Sequence, residues 1–137
     1  MAGVALLAVL SLVPWGDPVG AETHLKAGEG FADLTGRGFS KVRVLGTGDL
    51  APEETTRVSV TLSAGEDYLI LGVCDRDCDD LDLTLFEDGE ELVSDDTWND
   101  WPLLLHTPSE GRTYEMEVLM NACEASVCGF EVSVWKK

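Results

Sequence analysis

The chain is predicted to be all-β: an antiparallel, jelly-roll-like β-sandwich of seven to eight strands. Three observations carry that prediction. From Arg57 onward apolar residues recur with period 2, the runs are four to eight residues long, and Gly-, Asp- and Ser-rich turns separate them. Short strands at regular spacing bury their apolar faces by packing one sheet on another.

Taken in order, "RVSVTL" puts Val58, Val60 and Leu62 on one face and Arg57, Ser59 and Thr61 on the other, and "SAGED" supplies a turn. "YLILGV" is apolar on both faces and is expected to be a central, buried strand. "LDLTLF" points Leu81, Leu83 and Leu85 inward and Asp82 and Thr84 outward, before a turn around Gly89. A short strand "ELVS" follows, and the acidic loop "DDTWNDW" leads to "PLLLHT". After the turn "PSEGR", "TYEMEVLM" aligns Tyr114, Met116, Val118 and Met120 opposite Glu115 and Glu117, and "GFEVSVW" aligns Phe130, Val132 and Val134. Upstream, "FSKVRVLGTGDL" supplies an eighth candidate strand, whereas Glu22 to Gly38 has no strong period. A length of 137 residues suits one domain with a real core. The expected organisation is a leader at 1–21, an N-terminal arm with a possible first strand at 22–55, and the sandwich at 56–137.

The leader expectation rests on an apolar run from Ala2 to Val13, the helix breaker Pro14, and the small residues Val19 and Ala21 ahead of Glu22. The run is shorter than the roughly 20 residues needed to span a bilayer. It therefore reads as a signal peptide cut after Ala21, and the protein as secreted or periplasmic. Cleavage removes only Asp17 of the 26 acidic residues and none of the 9 basic ones. Such a balance disfavours nucleic acid and, after cleavage, anionic membrane as partners, because like charges repel and no basic patch offsets them.

Four cysteines form two close pairs, Cys74 with Cys78 in "CDRDC" and Cys123 with Cys128 in "CEASVC". An even count in an exported chain favours disulfides, and local bridges within each pair are preferred among the three possible connectivities. A zinc site made from all four thiolates is the alternative, against which stand spacings of three and four residues where zinc knuckles usually have two.

From Asp75 to Asp100 there are twelve carboxylates and a single cation, Arg76. Asp75, Asp77 and Asp79 open like an EF-hand, but the sixth position is Asp80 instead of Gly and the twelfth is Phe86 instead of Glu. Two readings of this acidity stand. In one, the carboxylates cap turns and face water, as charge runs commonly do. In the other, Asp80 and Asp82, two apart on a strand and so on one face, meet Asp95, Asp96 or Asp100 from the next loop around a calcium ion. Beside these, Trp98 and Trp101 flank Asn99 and Asp100, where indole faces can stack on a sugar ring or grip a peptide, or fold back onto the sandwich.

The stretches "AGEDYLILG", "DLDLTLF", "SDD" after a Gly-containing hairpin, and "GRTYEMEV", in that order between Thr56 and Trp135, resemble the bacterial pre-peptidase C-terminal domain. In outline the chain is also similar to the collagen-binding domains of clostridial collagenases. The resemblance implies a secreted, non-catalytic accessory module, with an extracellular protein or polysaccharide as partner. The two cysteine loops are additions to that family's pattern, and the collagenase calcium ligands have no residue-by-residue match here. The competing class is a small secreted hydrolase with Asp pairs acting as acid and base in an acidic cleft. His24 and His106 are the only imidazoles, and neither belongs to a Ser-His or Cys-His signature.

Overall fold

A computed structural model describes residues 34–137; the predicted leader and His24 lie outside the described residues. Eight strands follow in order: β1 (Ser40–Leu50), β2 (Thr55–Leu62), β3 (Tyr68–Cys74), β4 (Cys78–Glu87), β5 (Glu90–Asp95), β6 (Leu103–His106), β7 (Arg112–Cys123) and β8 (Cys128–Lys136). They form two four-stranded antiparallel sheets, ordered β1-β8-β3-β6 and β2-β7-β4-β5, which is the jelly-roll arrangement. Among the described residues no helix is long and apolar enough to cross a membrane.

The alternation read from sequence decides which side chains meet between the sheets. Val60, Leu62, Leu81, Leu83, Leu85, Met116, Val118 and Met120 from one sheet pack on Ile70, Leu104, Phe130, Val132 and Val134 from the other. Each such side chain contributes about 1.5–3 kcal/mol by leaving water. β3 is apolar on both faces because each face has something to bury. Its residues Leu69, Leu71 and Val73 turn away from the core and form a second cluster with Leu34 and Trp135, over which Phe39, Trp101 and Leu103 pack. Gly72, between them, faces the interior at a point where a Cβ would lie 2.9 Å from Pro102 Cγ.

β1, expected as a possible strand within the arm, pairs with β8 from Ser40 to Leu50 and is a full edge member of its sheet. Two bulges, between Lys41 and Arg43 and between Val44 and Gly46, twist that edge. The β4–β5 hairpin turns on Asp88 and Gly89, both with positive φ (51° and 83°), as a two-residue turn between strands of right-handed twist requires.

The structure joins Cys74 to Cys78 and Cys123 to Cys128, and no described cysteine is free. Both loops sit at one end of the sandwich and are tied together: Glu124 N–H donates to Asp77 O, and Gly129 N–H to Asp75 Oδ2. Each bridge closes a sequence separation of only four or five residues. Chain entropy then assigns each roughly 2 kcal/mol, less than a longer loop would give.

Candidate functional site

At the end of the sandwich that carries the disulfides, β4 and β7 depart from regular pairing. Cys78 faces Cys123, Asp80 faces Ala122 and Leu81 faces Met120, so Asp79 on one strand and Asn121 on the other are each left over. These paired bulges bring the Asn121 amide onto Asp80: its Nδ2 donates to Asp80 Oδ2 at 2.6 Å. The other oxygen, Asp80 Oδ1, accepts the backbone N–H of Asn99 at 3.0 Å. Asn99 O in turn accepts Leu81 N–H at 2.9 Å, so the β5–β6 loop is hung on the start of β4. Asp80 is 1% exposed, a buried carboxylate compatible with the core because both of its oxygens are satisfied.

Asp82 shares that face, as the period-2 pattern requires. The outward position read from sequence is correct as to face, but Asp82 is only 8% exposed. β4 is an interior strand flanked by β7 and β5, and neighbours on both sides screen its outer face. Asp82 Oδ1 is buried with no hydrogen-bond partner. Burial, followed by the charges of Asp80 and Asp96, the Asp80 hydrogen bond and the charge of Asp95, pushes the Asp82 carboxyl up from 3.8 to about 6. The Asp82 carboxyl therefore keeps its proton to a higher pH than an ordinary carboxyl does.

Of the five carboxylates singled out as cation ligands, the fold brings four together and gives them unequal freedom. Asp95 is committed to its own loop: Oδ1 accepts Thr97 N–H and Thr97 Oγ1–H, and Oδ2 accepts Leu103 N–H. Asp96 is exposed and acts on Asp82 through charge. Asp100 is not among the carboxylates acting on Asp82; its carbonyl lies 3.5 Å from Cys74 Sγ. Among the described residues, no three Asp, Glu, His or Cys side chains already form a metal-holding group. A second carboxyl contact stands at the same end, where a hydrogen bond to Asp79, followed by the Asp79 charge, raises the Glu124 pKa. Neither Asn99 nor Asn121, which hold Asp80, was among the residues singled out from sequence. In the sequence Asn99 is one more polar residue of the β5–β6 loop, and Asn121 one polar residue near the end of β7.

The loop from 96 to 102 is firmly anchored. Asn99 Nδ2 donates to Thr97 Oγ1 at 2.7 Å, Trp101 N–H to Asn99 Oδ1 at 2.8 Å, and Gly72 N–H to Pro102 O at 2.9 Å. The two tryptophans separate in consequence. Trp101 packs on the Leu69, Leu71 and Trp135 cluster, whereas Trp98 is 70% exposed at the loop tip. His106, in β6, stands edge-on to Tyr114, with Nε2 3.3 Å from the phenol oxygen. At the opposite end of the sandwich an open groove of about 380 Å³ is lined by Val42, Arg43, Leu62, Tyr68, Val134 and Lys136, none of them a candidate site residue from sequence.

No protein-family model matches the chain, and no curated protein matches it. Among solved structures it is similar to PliG of Aeromonas hydrophila, a periplasmic inhibitor of g-type lysozyme, at 14% identity and TM-score 0.48, over 72% of this chain and 86% of that one. It is similar also to the acetyl xylan esterase Est2A of the rumen bacterium Butyrivibrio proteoclasticus, at 11% identity and TM-score 0.37, over 72% of this chain and 31% of the esterase. A third similarity is to the carbohydrate-binding module CBM36 in complex with calcium and xylotriose, at 11% identity and TM-score 0.37, over 71% of this chain and 96% of the module. At such TM-scores these likenesses carry no functional weight.

Proposed function

We propose that the protein is a secreted, non-catalytic binding module that docks a cationic protein surface at the disulfide-bearing end of the sandwich. The observation that carries this reading is Trp98, 70% exposed on a loop whose neighbours Asp95, Thr97 and Asn99 are tied down by hydrogen bonds. An indole presented on a rigid loop loses little freedom on binding and buries a large apolar area, which is what interface anchors do. On the same loop lie Asp96 and Asp100, and at the same end of the sandwich stand Asp75, Asp77 and Glu124 of the disulfide loops and Asp79 at the start of β4, in a chain of formal net charge −17. That charge speeds encounter with a basic partner and opposes an acidic one. The two local disulfides support an oxidising compartment, and the resemblance to pre-peptidase C-terminal domains points to an accessory role.

A hydrolase built on the acidic residues is disfavoured by the site's own geometry. Acid and base carboxylates of a glycosidase stand about 5 Å or more apart with the scissile bond between them. Asp80 and Asp82 are instead 1% and 8% exposed, and both Asp80 oxygens are taken by Asn99 and Asn121, which leaves no room for a scissile bond between them.

The test is an immobilised panel of basic proteins, acidic proteins, and neutral and anionic glycans, probed with the oxidised protein and with Trp98→Ala. The expected result is salt-sensitive capture by basic proteins, weakened at least about tenfold by the substitution while the melting temperature stays unchanged. Capture by neutral glycans alone would replace the partner class, and hydrolysis of any panel member would overturn the non-catalytic reading.

A further inference from the structure

We propose that the groove at the end away from the disulfides is a second binding site, which takes the free C-terminus of a peptide by its carboxylate and its last apolar side chain. The fold gathers there a basic patch that no single stretch of the sequence shows. β1 begins where β8 ends, with Ser40 opposite Lys136, so Arg37, Lys41 and Arg43 share one corner with Lys136 and Lys137, whose Nζ lies over the Phe39 ring. These are five of the chain's nine basic residues, in a protein with 26 acidic ones. β1 and β2 are edge strands of the two sheets, and the groove, of about 380 Å³, opens between them. Its volume falls within the roughly 300–1,000 Å³ of ligand sites.

The lining offers both halves of that recognition. Arg43 is exposed on the groove and forms no ion pair among the described residues. Lys136 holds Glu66 at 3.5 Å, an exposed pair of the kind that contributes little and yields to a better-placed carboxylate. Asp67, the other acid of the β2–β3 turn, accepts Thr107 Oγ1–H and is already engaged. Val42, 51% exposed, gives an apolar wall, and the buried Leu62, Tyr68 and Val134 close the floor. A carboxylate beside an apolar side chain is what the end of a peptide presents, and an open groove lets the rest of that peptide leave. Continuous strand addition along β1 is not the mode, because its two bulges twist the edge away from a flat partner. The acidity of the chain does not forbid the site. At about 3.3 Å per residue, the eight residues of β2 hold the disulfide end roughly 25 Å away, about three Debye lengths at physiological salt. A long polyanion would run onto that acidic surface, whereas a single carboxylate stays clear of it. Nothing in this site depends on Trp98 or on a partner at the acidic end.

The experiment is an NMR titration of the full oxidised, isotope-labelled chain with N-acetyl-glycylglycyl-leucine carrying a free carboxylate. Saturable amide shifts are expected, centred on Val42, Arg43, Ser63 and Lys136. The same peptide with its C-terminus amidated is expected to bind at least about tenfold more weakly, since it leaves Arg43 without a charge to meet. Arg43→Gln, at an exposed position, is expected to keep the melting temperature and to weaken the free-carboxylate peptide by a similar factor. N-acetyl-triglycine, which lacks the apolar side chain, is expected to bind several-fold more weakly. The proposal is overturned if millimolar peptide gives no saturable shift, if the amidated peptide binds equally, or if Arg43→Gln leaves the affinity unchanged. It also fails if isovalerate alone binds as tightly, which would make the ligand a small acid, or if the shifts follow protein concentration, which would make it a second copy. Capture of basic proteins at the acidic end is read on a separate panel, so either site can fail without the other.

Discussion

The two ends of the β2-β7-β4-β5 sheet both gather carboxylates, but they neutralise them differently. At one end Glu87 and Asp88 from the β4–β5 hairpin, and Glu110 ahead of β7, converge on Arg112, with Nη1 at 2.6 Å from Glu87 and 3.0 Å from Asp88. At the other end every charge acting on Asp82 is negative. The Arg112 cluster is partly exposed and supplied with its own cation; the Asp82 cluster is buried and is not. Carboxylate crowding alone therefore says little about function in this acidic chain. What marks the Asp82 end is a buried carboxyl oxygen with no partner in a place where water cannot freely make up the loss.

The contrast can be broken most severely at Asp80. Asp80→Ala leaves the Asn99 N–H and the Asn121 amide without their acceptor and is expected to cost about 2–3 kcal/mol in denaturant unfolding. A loss below about 0.5 kcal/mol, the scale of a surface substitution, would show that Asp80 is not the anchor of that end. Asp82→Asn is expected to act in the opposite direction. Because the folded-state pKa of Asp82 is raised from 3.8 to about 6, its contribution is fully present below the lower value and is lost as pH rises through the higher one. A two-unit rise corresponds to about 2.7 kcal/mol, which screening by nearby water reduces toward about 1 kcal/mol. Asp82→Asn should thus be more stable than the parent at pH 8 and similar to it at pH 4, as read from paired urea titrations. Arg112→Gln, which removes the cation from the first end, is expected to have the smallest effect: a slight loss of melting temperature that added salt diminishes, since those carboxylates face solvent.

The strands were legible because strict alternation leaves one arrangement of faces: Leu81, Leu83 and Leu85 cannot enter the core without setting Asp80 and Asp82 side by side on the other face. The local cysteine pairs were likewise readable as short loops between strands. The depth of Asp82 was not, because it depends on β4 having a neighbour on each side, a property of sheet order rather than of local pattern. Nor was the place of Asp100, or the split between half-buried Trp101 and exposed Trp98, since the path of an irregular loop follows from its hydrogen bonds and has no period to read. Asn121 reaches Asp80 only because paired bulges shift β7 against β4, and nothing in "LMNAC" announces a bulge.

The central claim, that burial beside other carboxylates holds a proton on Asp82 to an unusually high pH, is tested most directly by following the Asp82 side-chain carboxyl carbon by NMR through a pH titration. The predicted result is an apparent pKa of about 6. Titration near 4, in the ordinary carboxylate range, would contradict it, and would make Asp82 one more solvated carboxylate on an acidic surface.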